Sequence, residues 1–343
     1  MHLFIIAIFA FIFISAIFFR HSKLTNIFYF SICSSLFVLL GLSINTRVSQ
    51  DLLNYFKIYK NIENDLYNIF DKDFLFYIFI ETLPKNMGYE LFVLIVSLVS
   101  LSLIYFLFKE LKNTQERTSL NWDFAPFLMI AIVSDRLIMD LFFNTLRSTW
   151  GLLIFMIGLI PLIHNKSFFS NRWFISLFTH MGASLAAILI FNFWKFFKKF
   201  RLPALLIFSL IVIFKIYSSI ELLSFMKLSY IEVFTKYISF DRAYAHLTNV
   251  SLNFLGMIFV SIFLPFLILI YDRGFNFVKQ NELVLFTVFF TLIALIAFIE
   301  FSLAKRFFVI PILIFMGFLN LKQMKFIALL KFMLFALYGE GLF

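Results

Sequence analysis

Between Ser134 and Trp150 the chain sets Asp135, Arg136, Asp140 and Arg147 inside a run that otherwise reads as membrane. A charged side chain at bilayer depth costs at least about 2.5–3.5 kcal/mol on insertion scales, so such groups face a cavity, a partner or a substrate. Arginine suits phosphate and carboxylate ligands, because its planar fork meets two oxygens at once and stays charged. Arg136 and Arg147 therefore point to an anionic ligand. His180 lies in Phe178-Thr179-His180-Met181-Gly182-Ala183-Ser184. An imidazole titrating near neutrality can take a proton from a hydroxyl, and the small residues after it allow close approach. The blander readings are an arginine reaching headgroups and a histidine hydrogen-bonded to a neighbouring helix.

Other chemistry-bearing residues carry less. His21 and His164 lie in basic loops and read as solvated, while His246 is a weaker candidate for the same acid–base work. Asp71-Lys72-Asp73 has the spacing of a metal–nucleotide clamp, but alone in a polar stretch it reads as a solvated charge cluster. The chain has no Gly-rich phosphate loop, paired-cysteine site or His-Glu-x-x-His motif, so neither a metal nor a cofactor is expected.

The elements that must position these residues follow from composition. Of 343 residues, 62% are hydrophobic, 21% aromatic and only 14% charged, with a mean hydropathy of +0.97. A soluble domain of this length lacks the interior to hide so many apolar side chains, and the bilayer must solvate most of them. The 55 phenylalanines read as compositional bias rather than function. The net charge of +10 gathers in short loops between apolar runs, which points to membrane topology and not to nucleic acid. The single cysteine, Cys33, excludes an intramolecular disulfide and reads as a small core residue. The apolar N-terminus lacks a basic leader and a small-residue cleavage site, and reads as a retained helix.

At roughly 20 apolar residues per crossing, spans are expected near 3–19, 26–44, 89–108, 124–143, 148–163, 203–220, 251–271, 283–300 and 307–321, with a last apolar segment at 326–337. Residues 74–83 are too short to span and suggest an interfacial helix before Pro84. The run from 173 to 194 is basic at both ends, so it either crosses once or turns back near His180-Met181-Gly182; the second alternative keeps every later loop consistent in sign. With basic loops placed in the cytoplasm, residues 45–86 and 221–250 become extracytoplasmic loops. Arg47, Asp51, Arg147, Asp241, Arg242, Lys305 and Arg306 then gather at the outer face, with Arg136 and His180 reaching the same cavity from within. The expectation is one all-α polytopic domain over 1–343, with about 10–12 transmembrane or re-entrant helices.

Several short motifs resemble one family in their order. Gln50-Asp51-Leu52-Leu53-Asn54-Tyr55-Phe56-Lys57-Ile58-Tyr59 looks like the Asp-x3-Tyr-x3-Tyr stretch that opens the first large outer loop of the Wzy O-antigen and capsule polymerases, in their EpsG-like branch. Asn144-Thr145-Leu146-Arg147-Ser148-Thr149-Trp150-Gly151 resembles that branch's Arg-Gln-x-hydrophobic-Ala helix start, with Ser148 for Gln and Gly151 for Ala. Thr179-His180-Met181-Gly182-Ala183 is similar to Phe-His-x-Ser-Ala, with Thr179 and Gly182 as departures, and Ala304-Lys305-Arg306-Phe307 resembles the family's late arginine.

The resemblance implies a GT-C-like helical bundle with an extracytoplasmic cavity in the bacterial inner membrane. It implies a polymerase that transfers a growing glycan from undecaprenyl diphosphate to the non-reducing end of a new lipid-linked repeat unit. Donor and acceptor are both undecaprenyl-diphosphate-linked oligosaccharides, and a chain-length regulator and a flippase are implied partners. On that reading Arg147, Arg136 and Arg306 hold the diphosphate, His180 is the base, and Asp51 is the alternative base or an orienting acid. Arg47, Tyr55 and Arg242 contact sugars or the second lipid. The rival readings are a lipid-linked oligosaccharide flippase, which suits a cationic cavity but brings paired repeats absent here, and an O-antigen-ligase-type transferase, which shares the donor.

Overall fold

A computed structural model describes residues 2–18, 23–43, 50–61, 73–114, 125–163, 172–196, 200, 203, 205–211, 256–300 and 302–338. The expected loop at 221–250, with Arg242 and His246, lies outside the described residues, as do Arg47, Asp71, His164 and most of the span expected at 203–220.

Among the described residues the chain is helical, with no strand. Among the described residues three helices are long and apolar enough to cross a membrane: Tyr89–Asn113, Leu146–Ile163 and Gly256–Gln280. A chain that meets lipid on its outside must satisfy its backbone polar groups internally, and helices do so within one segment. The outer surface agrees with that solvent. Leu24, Phe28, Leu98, Tyr105, Leu189 and Leu206 are exposed, a pattern that invites aggregation in water but not in a bilayer. Hydroxyls on these helices bond back one turn, as Ser31 does to Ile27 O, Ser100 to Val96 O and Thr287 to Leu283 O. This removes their need for water.

The elements in order are α1 (His2–Phe18), α2 (Lys23–Ser43), α3 (Gln50–Asn61), α4 (Phe74–Glu81), α5 (Tyr89–Thr114), α6 (Ala125–Val133), α7 (Arg136–Asn144), α8 (Leu146–Ile163), α9 (Arg172–Thr179) and α10 (Met181–Phe196). After them come a π-helical turn (Phe259–Phe263) leading into α11 (Leu264–Gln280), α12 (Glu282–Glu300), a 3-10 segment (Ser302–Phe308), α13 (Val309–Phe318) and α14 (Leu321–Tyr338). Helix α8 is the hub, packing against α5, α9, α10 and α13, with the 3-10 segment near its start. Close approach there and beside it uses glycine. A Cβ on Gly41 would fall 2.5 Å from the Phe143 ring, one on Gly317 would fall 2.7 Å from Leu111, and one on Gly151 would meet His180 Cβ at 3.1 Å. Small residues at such contacts let membrane helices approach closely.

Three expectations about spans change. The helix expected over 124–143 is not continuous. It stops at Val133 and restarts at Arg136, because the Asp135 side chain accepts the N–H groups of Leu137 and Ile138 and so caps a new helix. Residues 272–279, which fall between the spans expected at 251–271 and 283–300, are largely helical. Helix α11 runs on to Gln280 past a kink at Gly274, whose φ of 76° suits a residue without a Cβ. The segment expected at 307–321 becomes 3-10 structure up to Phe308 followed by the ten-residue α13.

The break at His180 is present, and the chain folds back there. Helix α9 packs along α8 and ends where His180 meets Gly151. Helix α10 then leads away to Trp194, which packs on Phe286 and Phe289 near the start of α12. The hydroxyl of Ser184 donates to the carbonyl of Ser176 at 2.7 Å. In a straight helix residues eight apart lie about 12 Å apart along the axis, so this bond exists only across a bend. The α7–α8 junction carries the same device, with Thr149 Oγ1 donating to Leu141 O at 2.8 Å.

Candidate functional site

Arg147 sits in the first turn of α8, just after the chain bends at Thr145. Its Nη1 donates to Asp73 Oδ2 at 2.8 Å and to the Tyr77 hydroxyl at 3.4 Å, and its Nε donates to the Tyr55 hydroxyl at 3.3 Å. The guanidinium also lies over the rings of Tyr55 and Phe76, at 5.1 and 5.6 Å from their centroids, an arrangement that adds cation–π attraction. Tyr55 comes from α3 and Phe76 and Tyr77 from α4, so these two helices close over the start of α8. Phe76 and Phe79 pack on Trp150 to hold that position, and Trp150 in turn donates to Ser100 of α5 at 2.9 Å.

Asp73 is not the solvated residue its sequence context suggests. It is buried, immediately before α4, with φ 70° and ψ 31°. An aspartate at a helix start ordinarily accepts N–H groups of its own first turn, but this one makes no side-chain cap bond. Its carboxylate is spent on remote groups instead: Oδ2 on Arg147, and Oδ1 on the backbone N–H of Met181 at 3.1 Å. The tip of the α9–α10 hairpin is thereby pinned to α4 and α8.

His180 occupies that tip. Its Nδ1 accepts the N–H of Ala183 at 3.1 Å, so in the neutral ring the proton resides on Nε2 and the free edge is a donor. Asp73, Arg306 and Arg147 all act electrostatically on this ring. Arg306 belongs to the 3-10 segment, and its Nε is buried without a hydrogen-bond partner among the described residues. Next to Arg306 in sequence, Lys305 pairs with Asp140 of α7 at 2.8 Å, both partly exposed. Asn144 donates to the other oxygen of Asp140, and its own Oδ1 is buried without a partner among the described residues.

The structure therefore brings together His180, Arg147, Arg306 and Tyr55 from the sequence-derived set. Asp51 lies on α3 and Arg136 begins α7, but their side chains fall outside the described residues, as do Arg47 and Arg242 entirely. Asp73 and Tyr77 were not anticipated. The signal for Asp73 was its place directly before an apolar helix, and only tertiary contact shows where its carboxylate turns. Among the described residues, no group of acidic, histidine or cysteine side chains could hold a metal ion.

Below lies a second ionic centre. Asp135 Oδ2 accepts Lys331 Nζ of α14 and Ser261 Oγ of the π-helical turn, the latter at 2.6 Å, while Oδ1 accepts the two α7 amides. Ser134 beside it keeps a buried hydroxyl without a partner among the described residues. A lone lysine in the apolar segment 326–337 was the readable sign of it.

No protein-family model, no curated protein and no solved structure matches the chain.

Proposed function

We propose that the chain is a bacterial inner-membrane polysaccharide polymerase, a glycosyltransferase that moves a growing glycan from undecaprenyl diphosphate onto a new lipid-linked repeat unit. In this reading the helices form a polytopic GT-C-like bundle, and the site opens to the outer face. The observation that carries it is the meeting of Arg147, Arg306, His180, Asp73 and two tyrosines, drawn from segments far apart in sequence, at one end of an apolar helix bundle. Such a set binds a polyanion and a hydroxylated ligand side by side.

Arg147 and Arg306 take the diphosphate oxygens. Their fixed positive charge opposes the negative charge that grows on the leaving diphosphate, which is electrostatic preorganisation in a water-poor site. The Nε–H of Arg306 supplies a donor already desolvated and without a competing partner among the described residues. His180, with its proton on Nε2, donates to a substrate oxygen and so orients rather than deprotonates. Tyr55 and Tyr77 offer hydroxyls to sugars once Arg147 has turned toward phosphate.

The test is reconstitution of the full chain in proteoliposomes with lipid-diphosphate-linked repeat units. A ladder of longer lipid-linked glycans is expected, and Arg147→Ala shortens it to the single unit. Movement of the substrate across the bilayer without any new glycosidic bond would replace this reading with a flippase, and one transfer onto an unrelated acceptor would replace it with a ligase.

A further inference from the structure

On the polymerase reading His180 does not serve as the proton acceptor, because its Nδ1 is occupied by the Ala183 amide, and the side chain of Asp51, the alternative base, lies outside the described residues. Transfer to a sugar hydroxyl releases a proton, so a base within hydrogen-bond reach of the attacking oxygen is required. Asp73 has the needed properties. It is a buried carboxylate at the centre of the site, touching both Arg147 and the hairpin tip. Its left-handed backbone is uncommon for a residue with a side chain, and such strain gathers at sites where function over-determines geometry. It forgoes the helix cap its position offers. A carboxylate provides about four lone-pair positions, and Asp73 commits one on each oxygen, so acceptor capacity remains.

The pair with Arg147 also has a logic of its own. Without ligand, Asp73 is the anion that neutralises Arg147. A diphosphate carries more charge than one carboxylate and competes for the same guanidinium. Arg147, with a side chain 26% exposed, can turn toward it. As that contact transfers, Asp73 loses its cation and becomes a better proton acceptor.

We propose that Asp73 is the catalytic base of the polymerisation, held inactive by Arg147 until the lipid diphosphate draws the guanidinium away. This rests on the polymerase reading. In the step, the acceptor oxygen forms a bond to the anomeric carbon as the bond from that carbon to the diphosphate oxygen breaks. The hydroxyl proton passes to Asp73, and the bonding electron pair leaves on undecaprenyl diphosphate.

The experiment uses full-length protein with two readouts, binding of undecaprenyl diphosphate and turnover of lipid-linked repeat units. Asp73→Asn is expected to bind undecaprenyl diphosphate at least as tightly as the wild type, since the competing anion is gone, while turnover falls by about a hundredfold or more. Asp73→Glu, which keeps a carboxylate, is expected to retain more turnover than Asp73→Asn. Turnover of Asp73→Asn within threefold of wild type overturns the base role. Parallel loss of binding and turnover in Asp73→Asn, with Asp73→Glu no better, also overturns it and leaves Asp73 as an anchor for Arg147. A wild-type protein that binds the lipid diphosphate yet forms no glycosidic bond removes the polymerase reading itself.

Discussion

Two carboxylate–cation pairs lie at breaks in the helices around α7 and α8, and they are built in opposite ways. The Asp135–Lys331 pair is sealed, with both side chains 2% exposed, and every oxygen of Asp135 is accounted for by Lys331, Ser261 and the two α7 amides. The Asp73–Arg147 pair has side chains 10% and 26% exposed, and Asp73 commits only one bond on each oxygen. A buried pair that is fully partnered has nothing left to offer a ligand, and its removal costs mainly stability. The open pair keeps donors and acceptors in reserve. The first is an architectural joint between α7, α14 and the π-helical turn, whereas the second is a place where partners can be exchanged.

The largest expected effect breaks the sealed joint. Lys331→Ala strands a buried Asp135 charge and should cost about 3–5 kcal/mol, seen as a large drop in the detergent melting temperature. Replacing both partners, with Asp135→Asn and Lys331→Met, should recover most of that loss, because no bare charge remains. If the single and double variants melt alike, the two ionic centres do not differ in the way argued.

Next comes the open pair. Arg147→Ala should lower turnover by about 10²–10³, the usual range for losing one donor to developing charge, and should melt closer to wild type than Lys331→Ala does. Asp73 keeps the Met181 amide and its side chain is 10% exposed against 2% for Asp135, so it is less completely stranded than Asp135 would be. A melting loss in Arg147→Ala as deep as that of Lys331→Ala would make this pair structural as well.

Gly151→Ala sharpens the role of the hairpin tip. Its Cβ would sit 3.0 Å from Ser184 Oγ and 3.1 Å from His180 Cβ, so the tip must shift by a few tenths of an ångström. Because placement errors well short of unfolding can be costly for catalysis, turnover is expected to fall by about tenfold with little change in melting. The smallest effect lies away from both centres. Tyr59 donates to Pro84 O at 2.6 Å and accepts Met87 N–H at 2.7 Å. Tyr59→Phe should cost about 1–2 kcal/mol in melting and leave turnover near wild type.

What could be read from the sequence divides along the same line. Apolar length gave the helical class and the approximate place of α5, α8 and α12, because bilayer thickness leaves helices few alternatives. Gly, Ser and His at 180–184 marked the hairpin tip, and Arg147 stood out as a charge in an apolar run. The interruption at Asp135 was hidden, since an aspartate inside an apolar stretch looks the same whether it faces a cavity or caps a new helix. Asp73 was misjudged for a related reason. Its neighbours in sequence are polar, but its neighbours in space are Arg147 and Met181, and only the fold chooses between them. Partnerships such as Asp140 with Lys305 span 165 residues and leave no local pattern.

The two hydroxyls that reach back eight residues, Thr149 to Leu141 and Ser184 to Ser176, bear on how the chain enters its bilayer. At each bend the carbonyl already takes the amide one turn later, Thr145 N–H on Leu141 O at 3.2 Å and His180 N–H on Ser176 O at 3.0 Å, and the hydroxyl adds a second bond to it. Both donors lie within the same short segment, so each bend is clamped by the chain's next few residues and needs no other helix to arrive, in a solvent where an unpaired polar group is expensive. Bent segments of this kind can leave the insertion machinery already dry, and the ion pairs between distant helices are free to form last.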